Sequence, residues 1–272
     1  MSVSTVEATR SATSRSLAGP PPKFGETGRR DGWWVAPLAT AVGLILFGGY
    51  ATWAIFQGNN YFADPYLSPF YSPCLAAACP EQIRLLGIQW WPLSPAILIM
   101  GAILGFRGTC YYYRKAYYRA FLLDPPACAV GEPRGKRYSG ETAFPLILQN
   151  LHRYFLYLSI IIILFLWYDT AHAFFFEDGF GLGIGTVVLL VNVVLLTNYL
   201  LGCHSLRHLV GGRIDCYSCS RFGQTRHGIW RRLTRFNEQH MMWAWLSLGF
   251  VCFADLYVRL VAAGVITDLR LF

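Results

Sequence analysis

A short basic segment, residues 202–221, concentrates side chains that bind soft metals. Its sequence, GCHSLRHLVGGRIDCYSCSR, contains three cysteines and two histidines: Cys203, His204, His208, Cys216 and Cys219. If a helix continues into this segment, His204 and His208 lie one turn apart on the same face, with Cys203 beside them. The spacing Cys216-x-x-Cys219 allows two thiolates to reach one metal. The segment therefore predicts a metal site built from thiolate and imidazole ligands.

His240 opens the last apolar segment of the chain and is a sixth candidate ligand. Two thiolates and two imidazoles would suit a structural zinc ion or a [2Fe–2S] cluster with mixed ligation. Six candidates exceed the need of either, so we expect two of them to have supporting roles. An alternative is that the histidines form interfacial hydrogen bonds and the cysteines pack as small apolar side chains. A second alternative is one haem b held by His152 and a histidine of the later segments, which leaves the cysteines unexplained.

The elements that must position these residues are apolar helices. Of the 272 residues, 54% are apolar and only 14% are charged, and the apolar residues occur in long blocks. About 20 apolar residues are needed for a helix to cross the bilayer core. The sequence predicts an all-α, polytopic membrane protein with a bundle of five transmembrane helices, at approximately residues 33–56, 88–106, 151–176, 181–202 and 241–264.

The basic residues predict how the helices are oriented. Twenty Lys and Arg residues fall on one side of the predicted bundle and three on the other, namely Arg84, Arg259 and Arg270. By the positive-inside rule the N-terminus is cytoplasmic and the C-terminus external. Residues 1–31 are polar and predict a cytoplasmic tail before an anchor domain at 32–272. The net charge of +8 lies in loops beside apolar segments, which argues against nucleic-acid binding.

Two pairs of residues on the external side of the bundle have spacings that allow direct contact. Cys74 and Cys79 lie in the loop after the first span, where an oxidising compartment would permit a disulfide. Two unpaired thiols are the alternative. Asp255 and Arg259 are spaced i, i+4 in the last span and can form an ion pair on one helix face.

At this point the chain resembles the single five-helix membrane anchor of actinobacterial succinate dehydrogenases. The resemblance is carried by Gly202-Cys-His-Ser-Leu-Arg-His208, by the Gly211-Gly212 turn, and by Phe236-Asn-Glu-Gln-His-Met-Met-Trp-Ala-Trp245. It covers the second half of the chain by sequence and the first half by architecture. In one mycobacterial branch of this family a Rieske-type [2Fe–2S] cluster replaces haem, and the surplus of cysteine here resembles that branch. The C-x-H and C-x-x-H motifs of soluble Rieske domains do not occur.

The resemblance implies a function in respiratory electron transport. Electrons from succinate would arrive through flavoprotein and iron–sulfur subunits docked on the cytoplasmic face, and the anchor would reduce quinone or menaquinone. It also allows a higher oligomer of the complex. Candidate quinone-binding residues are those near the inner ends of the third and fifth spans: His152, Arg153, Tyr154, Trp243 and Trp245. Without such partners the Cys/His cluster would instead indicate a transporter or structural membrane protein stabilised by zinc.

Overall fold

The computed structural model describes residues 23–133, 140–144, 146–212 and 214–272, so most of the predicted N-terminal tail, residues 1–22, lies outside the described residues. The chain is mainly helical, which confirms the predicted all-α class. The eight α-helices of the described residues are α1 (Val35–Gln57), α2 (Ala96–Gly108), α3 (Tyr111–Tyr117), α4 (His152–His172), α5 (Ile184–Leu201), α6 (His204–Gly211), α7 (Gly223–Glu238) and α8 (His240–Ala262).

Four of these helices are long and apolar enough to cross a membrane. They are α1, α4 extended by the 3-10 turn Leu146–Leu151, α5 and α8. Many large apolar side chains on their surfaces are exposed, as expected for helices that face lipid. These four helices begin and end within about one turn of the predicted spans. Helix α4 stops at His172 because residues 175–180 form a hairpin.

The second span differs from the prediction. Its helix, α2, begins at Ala96 and not near residue 88, because Pro92 and Pro95 limit helical backbone before that point. Residues Arg84–Ile88 instead form a strand parallel to Cys74–Ala76. After α2 the chain breaks for two residues and bends by 80° into the helical segment Tyr111–Leu122. The second span therefore corresponds to a bent pair of helices that are together long and apolar enough to cross a membrane.

Short strands and turns close the end of the bundle opposite to residues 107–119. The strands are β1 (Phe62–Ala63), β2 (Tyr66–Leu67), β3 (Cys74–Ala76), β4 (Arg84–Ile88), β5 (Phe175–Phe176) and β6 (Gly179–Phe180). β1 with β2 and β5 with β6 form antiparallel hairpins. Cys74 and Cys79 form a disulfide.

The described residues divide into two compact units. Residues 23–43 and 115–133 belong to the smaller unit, in which Thr27 Oγ1 donates to the Ala129 carbonyl over 2.7 Å. Residues 44–114 with the described part of 140–272 form the larger unit. Within it α5 packs against both α4 and α8, and α2 packs against α4.

The predicted ion pair of Asp255 and Arg259 is present and buried. Arg259 Nε donates to Asp255 Oδ2 over 2.7 Å, and the exposed fractions of the two side chains are 4% and 0%. Tyr50 donates to the same carboxylate over 2.6 Å, and the remaining guanidinium nitrogens bond Gln57 and two backbone carbonyls. Because every group of the pair has a partner, this network stabilises the bundle at the end opposite to the site described next.

Candidate metal centre

One cysteine or histidine stands at each of four helix ends on the basic side of the bundle. Cys110 follows α2, His152 begins α4, Cys203 follows α5 and His240 begins α8. His152 Nε2 lies 3.2 Å from Cys203 Sγ, and Cys110 Sγ lies 3.4 Å from His240 Nε2. We call these four residues the Cys/His group. Antiparallel helices place their alternate ends at one depth, so four distant parts of the sequence meet here.

Aromatic side chains connect the two Cys/His pairs. The ring of Phe106 stacks on His152 with centroids 4.8 Å apart, and the ring of Tyr199 stacks on His240 at 4.9 Å. Phe106 and Tyr199 contact each other edge to face at 5.5 Å. These ring contacts link His152 with His240, and through them their two cysteine partners.

A neighbouring hydroxyl fixes the tautomer of His152. Thr109 Oγ1 donates its proton to the Gly105 carbonyl over 2.6 Å and lies 3.0 Å from His152 Nδ1. Since the hydroxyl proton is already used, Nδ1 must be the protonated nitrogen and must donate to Oγ1. Nε2 then presents its lone pair towards Cys203. Burial raises the pKa of the Cys203 thiol to about 11, so without a metal this thiol keeps its proton and donates it to Nε2.

A glycine allows the second histidine to approach the end of α5. A Cβ added at Gly202 would lie 2.8 Å from His240 Nδ1 and 2.9 Å from the Phe236 carbonyl oxygen. The backbone of Gly202 is in the right-handed region, so the close approach alone requires glycine. Asn237 Nδ2 donates to the Gly202 carbonyl over 2.7 Å and ties the start of α8 to this position.

The site is dry and leaves a polar atom without a partner. Cys110, Cys203 and His240 have exposed fractions of 3%, 1% and 2%. His240 Nδ1 is buried and has no hydrogen-bond partner among the described residues. In the same part of the chain no three acidic, Cys or His side chains surround one point as a mononuclear site would require. Two adjacent pairs suit a centre with two metal atoms better than a single ion.

Two of the six predicted ligands, Cys203 and His240, belong to the Cys/His group. His204 lies at the start of α6 and is largely exposed. The partial burial of its imidazole, together with the charge of Arg207, lowers its pKa. His208 Nδ1 lies 3.2 Å from Arg153 Nη2. Neither histidine makes a described contact with a cysteine of the group.

Cys216 and Cys219 make no described contact with the Cys/His group. These residues form a disulfide with each other, and their further hydrogen bonds are within residues 216–219. Because a metal ligand must be a thiolate, a disulfide cannot supply these two ligands. The tight C-x-x-C spacing that suggested a metal knuckle serves here to join the two sulfurs.

The predicted quinone residues do not form one pocket in the described structure. His152 is part of the Cys/His group, Tyr154 is 66% exposed and Arg153 contacts His208. The ring of Trp245 lies 6.2 Å from that of Tyr113. Trp243 is half-buried, and its Nε1 has no hydrogen-bond partner among the described residues.

A family model described as "Actinobacterial succinate dehydrogenase subunit SdhC" matches residues 35–264. The chain belongs to this family. A solved structure described as "Mycobacterium smegmatis Sdh1 complex in the apo form" contains a similar chain with 45% sequence identity and a TM-score of 0.84. The similarity covers 95% of this chain and 97% of that chain. The comparison with curated proteins gave no match.

SdhC membership confirms the resemblance noted in the sequence. The protein is a membrane-anchor subunit of succinate dehydrogenase, with several helices that span the membrane. The Cys/His group lies within the matched residues. Cys110 was not named as a ligand by sequence reasoning, and His152 was named only as a haem ligand and a quinone residue, although each stands at the basic end of a predicted span in the same way as Cys203 and His240.

Proposed function

We propose that the Cys/His group binds a Rieske-type [2Fe–2S] cluster, through which this SdhC subunit passes electrons to a quinone. The observation that carries the proposal is the donor set, two cysteines and two histidines, which is the ligand composition of Rieske centres. The residues fit the cluster in donor type and burial, because Cys110, Cys203 and His240 are almost fully buried. Each close contact in the structure joins one cysteine to one histidine, so a Rieske-type centre would need the two histidines to meet on one iron. When bound, the cluster would take up and release one electron at a time at a potential raised by its imidazole ligands.

The protein residues around the site prepare its donors. Thr109 holds His152 in the tautomer whose Nε2 lone pair is free to bind a metal, which is the usual role of an outer hydrogen-bond partner. Metal binding requires the two thiols to lose their protons. The apolar surroundings and the ring of Phe106 exclude water from the donors, which limits loss of the metal and of sulfide.

Trp243 is the residue that best supports a quinone site near this centre. It follows His240 by three residues in α8, so the two side chains share one face of the helix. A buried indole N–H without an acceptor is rare, and a quinone carbonyl is an acceptor of suitable chemistry. Quinone reduction takes two electrons and two protons to give quinol. His208, which contacts Arg153 on the same side of the bundle, would bring protons towards the site.

The basic side of the bundle would face the cytoplasm and receive the flavoprotein and iron–sulfur subunits of the complex. The distribution of Lys and Arg supports this orientation through the positive-inside rule. The Cys/His group would then lie at the membrane surface nearest to those subunits. A position there shortens the distance between the electron donor and the quinone.

Spectroscopy and metal analysis of the purified complex test the proposal. We expect a Rieske-like EPR signal in the reduced complex, with two iron atoms and two sulfides above the content of Cys110→Ser and His240→Ala variants. The matched controls Cys216→Ser and Cys252→Ser each remove a sulfur outside the group and should keep the signal. A haem b absorption band without the signal would favour the haem alternative, and zinc without sulfide would favour a structural metal site; either result overturns the proposal.

A further inference from the structure

Arg107 is a buried cation without an acidic partner. It lies in the last turn of α2 and is only 8% exposed. Its guanidinium donates to the Tyr113 hydroxyl over 2.6 Å, to Ser247 Oγ over 3.0 Å and to the Ala244 carbonyl over 3.4 Å. All three acceptors are neutral. Within the described part of the chain no Asp or Glu forms an ion pair with Arg107.

The second buried arginine of the bundle shows the usual arrangement. Arg259 has the Asp255 carboxylate at 2.7 Å in addition to its neutral acceptors. A buried charge without a counter-charge is strongly disfavoured, because hydrogen bonds replace only part of its hydration. The missing negative charge at Arg107 therefore requires an explanation.

The guanidinium of Arg107 lies beside the Cys/His group. Its carbon is 4.7 Å from the centroid of the Tyr199 ring, and that ring also stacks on the ring of His240 at 4.9 Å. The positive charge therefore lies within about 10 Å of the His240 imidazole and interacts with it electrostatically. No other described arginine contacts Tyr199.

We propose that Arg107 is the counter-charge of the redox centre and raises its reduction potential. This inference rests on the proposed function, since a [2Fe–2S] cluster with two thiolates and two neutral imidazoles would be uncharged when oxidised and would carry one negative charge when reduced, which is the charge that Arg107 lacks. When the site receives one electron from the iron–sulfur subunit, its charge becomes more negative by one unit while no bond forms or breaks. Arg107 stabilises that reduced state more than the oxidised one. It is a positioning residue in this sense, since Tyr199 separates it from the donors.

The expected effect is about tenfold on the equilibrium constant for reduction. Two unit charges about 10 Å apart, at an effective dielectric constant near 20, change an equilibrium constant by roughly this factor. For a one-electron couple a tenfold change corresponds to about 59 mV. Loss of the positive charge should lower the midpoint potential of the centre by about this amount.

A redox titration followed by EPR tests the inference in the intact complex. Arg107→Gln should lower the equilibrium constant for reduction about tenfold, which is a fall of about 59 mV in the midpoint potential. Arg107→Lys keeps the charge and should have a midpoint potential close to that of the wild type. Arg114→Gln is the matched control, because Arg114 carries the same charge nearby but is already paired with Glu141 over 2.8 Å. Its potential should equal that of the wild type.

A second pair of variants avoids any packing defect caused by removing the arginine. Ser247→Asp places a carboxylate at the position that accepts from Arg107, while Ser247→Asn has nearly the same shape without the charge. The potential should fall in the first variant and stay unchanged in the second. A wild-type complex without the cluster signal overturns the proposed function. A wild-type signal with equal potentials in Arg107→Gln, Ser247→Asp and the wild type overturns the role of Arg107 alone.

Discussion

The substitution Gly202→Ala tests how the fold creates the metal centre. The added Cβ would lie 2.8 Å from His240 Nδ1, 2.9 Å from the Phe236 carbonyl oxygen and 3.3 Å from the Asn198 carbonyl oxygen. The two nearest distances are shorter than real Cβ contacts, so something must move. The Phe236 oxygen belongs to the backbone of α7 and cannot rotate away. The imidazole of His240 is the more movable neighbour and should be displaced.

The magnitude follows from the cost of overpacking. Inserting one carbon into a closely packed site costs about 1–3 kcal/mol, and a free energy of that size changes an equilibrium by roughly 5- to 150-fold. If the strain is relieved by moving His240, the affinity of the site for its metal should fall by about that factor. We therefore expect an assembled complex with reduced iron content, and only a modest decrease in thermal stability.

The assay is the ratio of iron and acid-labile sulfide to protein in the purified complex, together with its thermal unfolding in detergent. Gly249→Ala is the matched control, because it lies in α8 with His240 and a Cβ there meets no atom within 4 Å. That control should keep the wild-type iron content. Full iron and sulfide in the Gly202→Ala complex would refute the reasoning, since the displaced imidazole could then not be a ligand.

Three further predictions concern the site and the stability of the bundle. Thr109→Val removes the acceptor of His152 Nδ1 and should lower metal affinity by about 10- to 100-fold, whereas Thr109→Ser should not; iron analysis after dialysis against a chelator measures both. Asp255→Asn leaves Arg259 buried without its carboxylate and should destabilise the complex by about 3–5 kcal/mol, measured by thermal or denaturant unfolding. The pair of Asp178 and Arg270 is exposed, and its hydrogen bond lowers the pKa of the Asp178 carboxyl. The small stabilisation by this pair should be fully present above the unfolded pKa of about 3.9. It should be lost as the pH falls through the lower pKa of the folded state. Asp178→Asn should therefore slightly reduce the dependence of unfolding on acid pH and leave the stability at neutral pH almost unchanged. A larger loss of stability in Asp178→Asn than in Asp255→Asn would contradict the assignment of the first pair as weak and of the second as strong.

Much of the fold could be predicted because a membrane span is a continuous run of about 20 apolar residues, which is visible in the sequence. Length and apolarity placed four helices to within about one turn. The second span was the exception, since the residues before Ala96 are apolar but include two prolines. Composition alone also does not show that Arg84–Ile88 pairs with the strand Cys74–Ala76. The ion pair of Asp255 and Arg259 was predictable because its spacing lies within one helix.

The residues of the Cys/His group were only half predicted, for a physical reason. Sequence reasoning followed local clustering, which brought together Cys203, His204, His208, Cys216 and Cys219. The structure assembles its donors from four helix ends, so that Cys110 and His240 are in contact although 130 residues separate them. Local spacing cannot reveal such a contact. Position along the membrane normal would have been a better guide, because Cys110 and His152 lie at the basic ends of their spans, as Cys203 and His240 do.

The identity of the imidazole ligands is tested most directly by pulsed EPR of the reduced complex labelled with ¹⁵N-histidine. Binding by His152 and His240 predicts two strongly coupled histidine nitrogens in the wild type. One coupling should remain if either His152 or His240 is replaced and the cluster is retained, and both should persist in His208→Ala. A signal without nitrogen coupling, or a loss of one coupling in His208→Ala, would contradict the proposed centre.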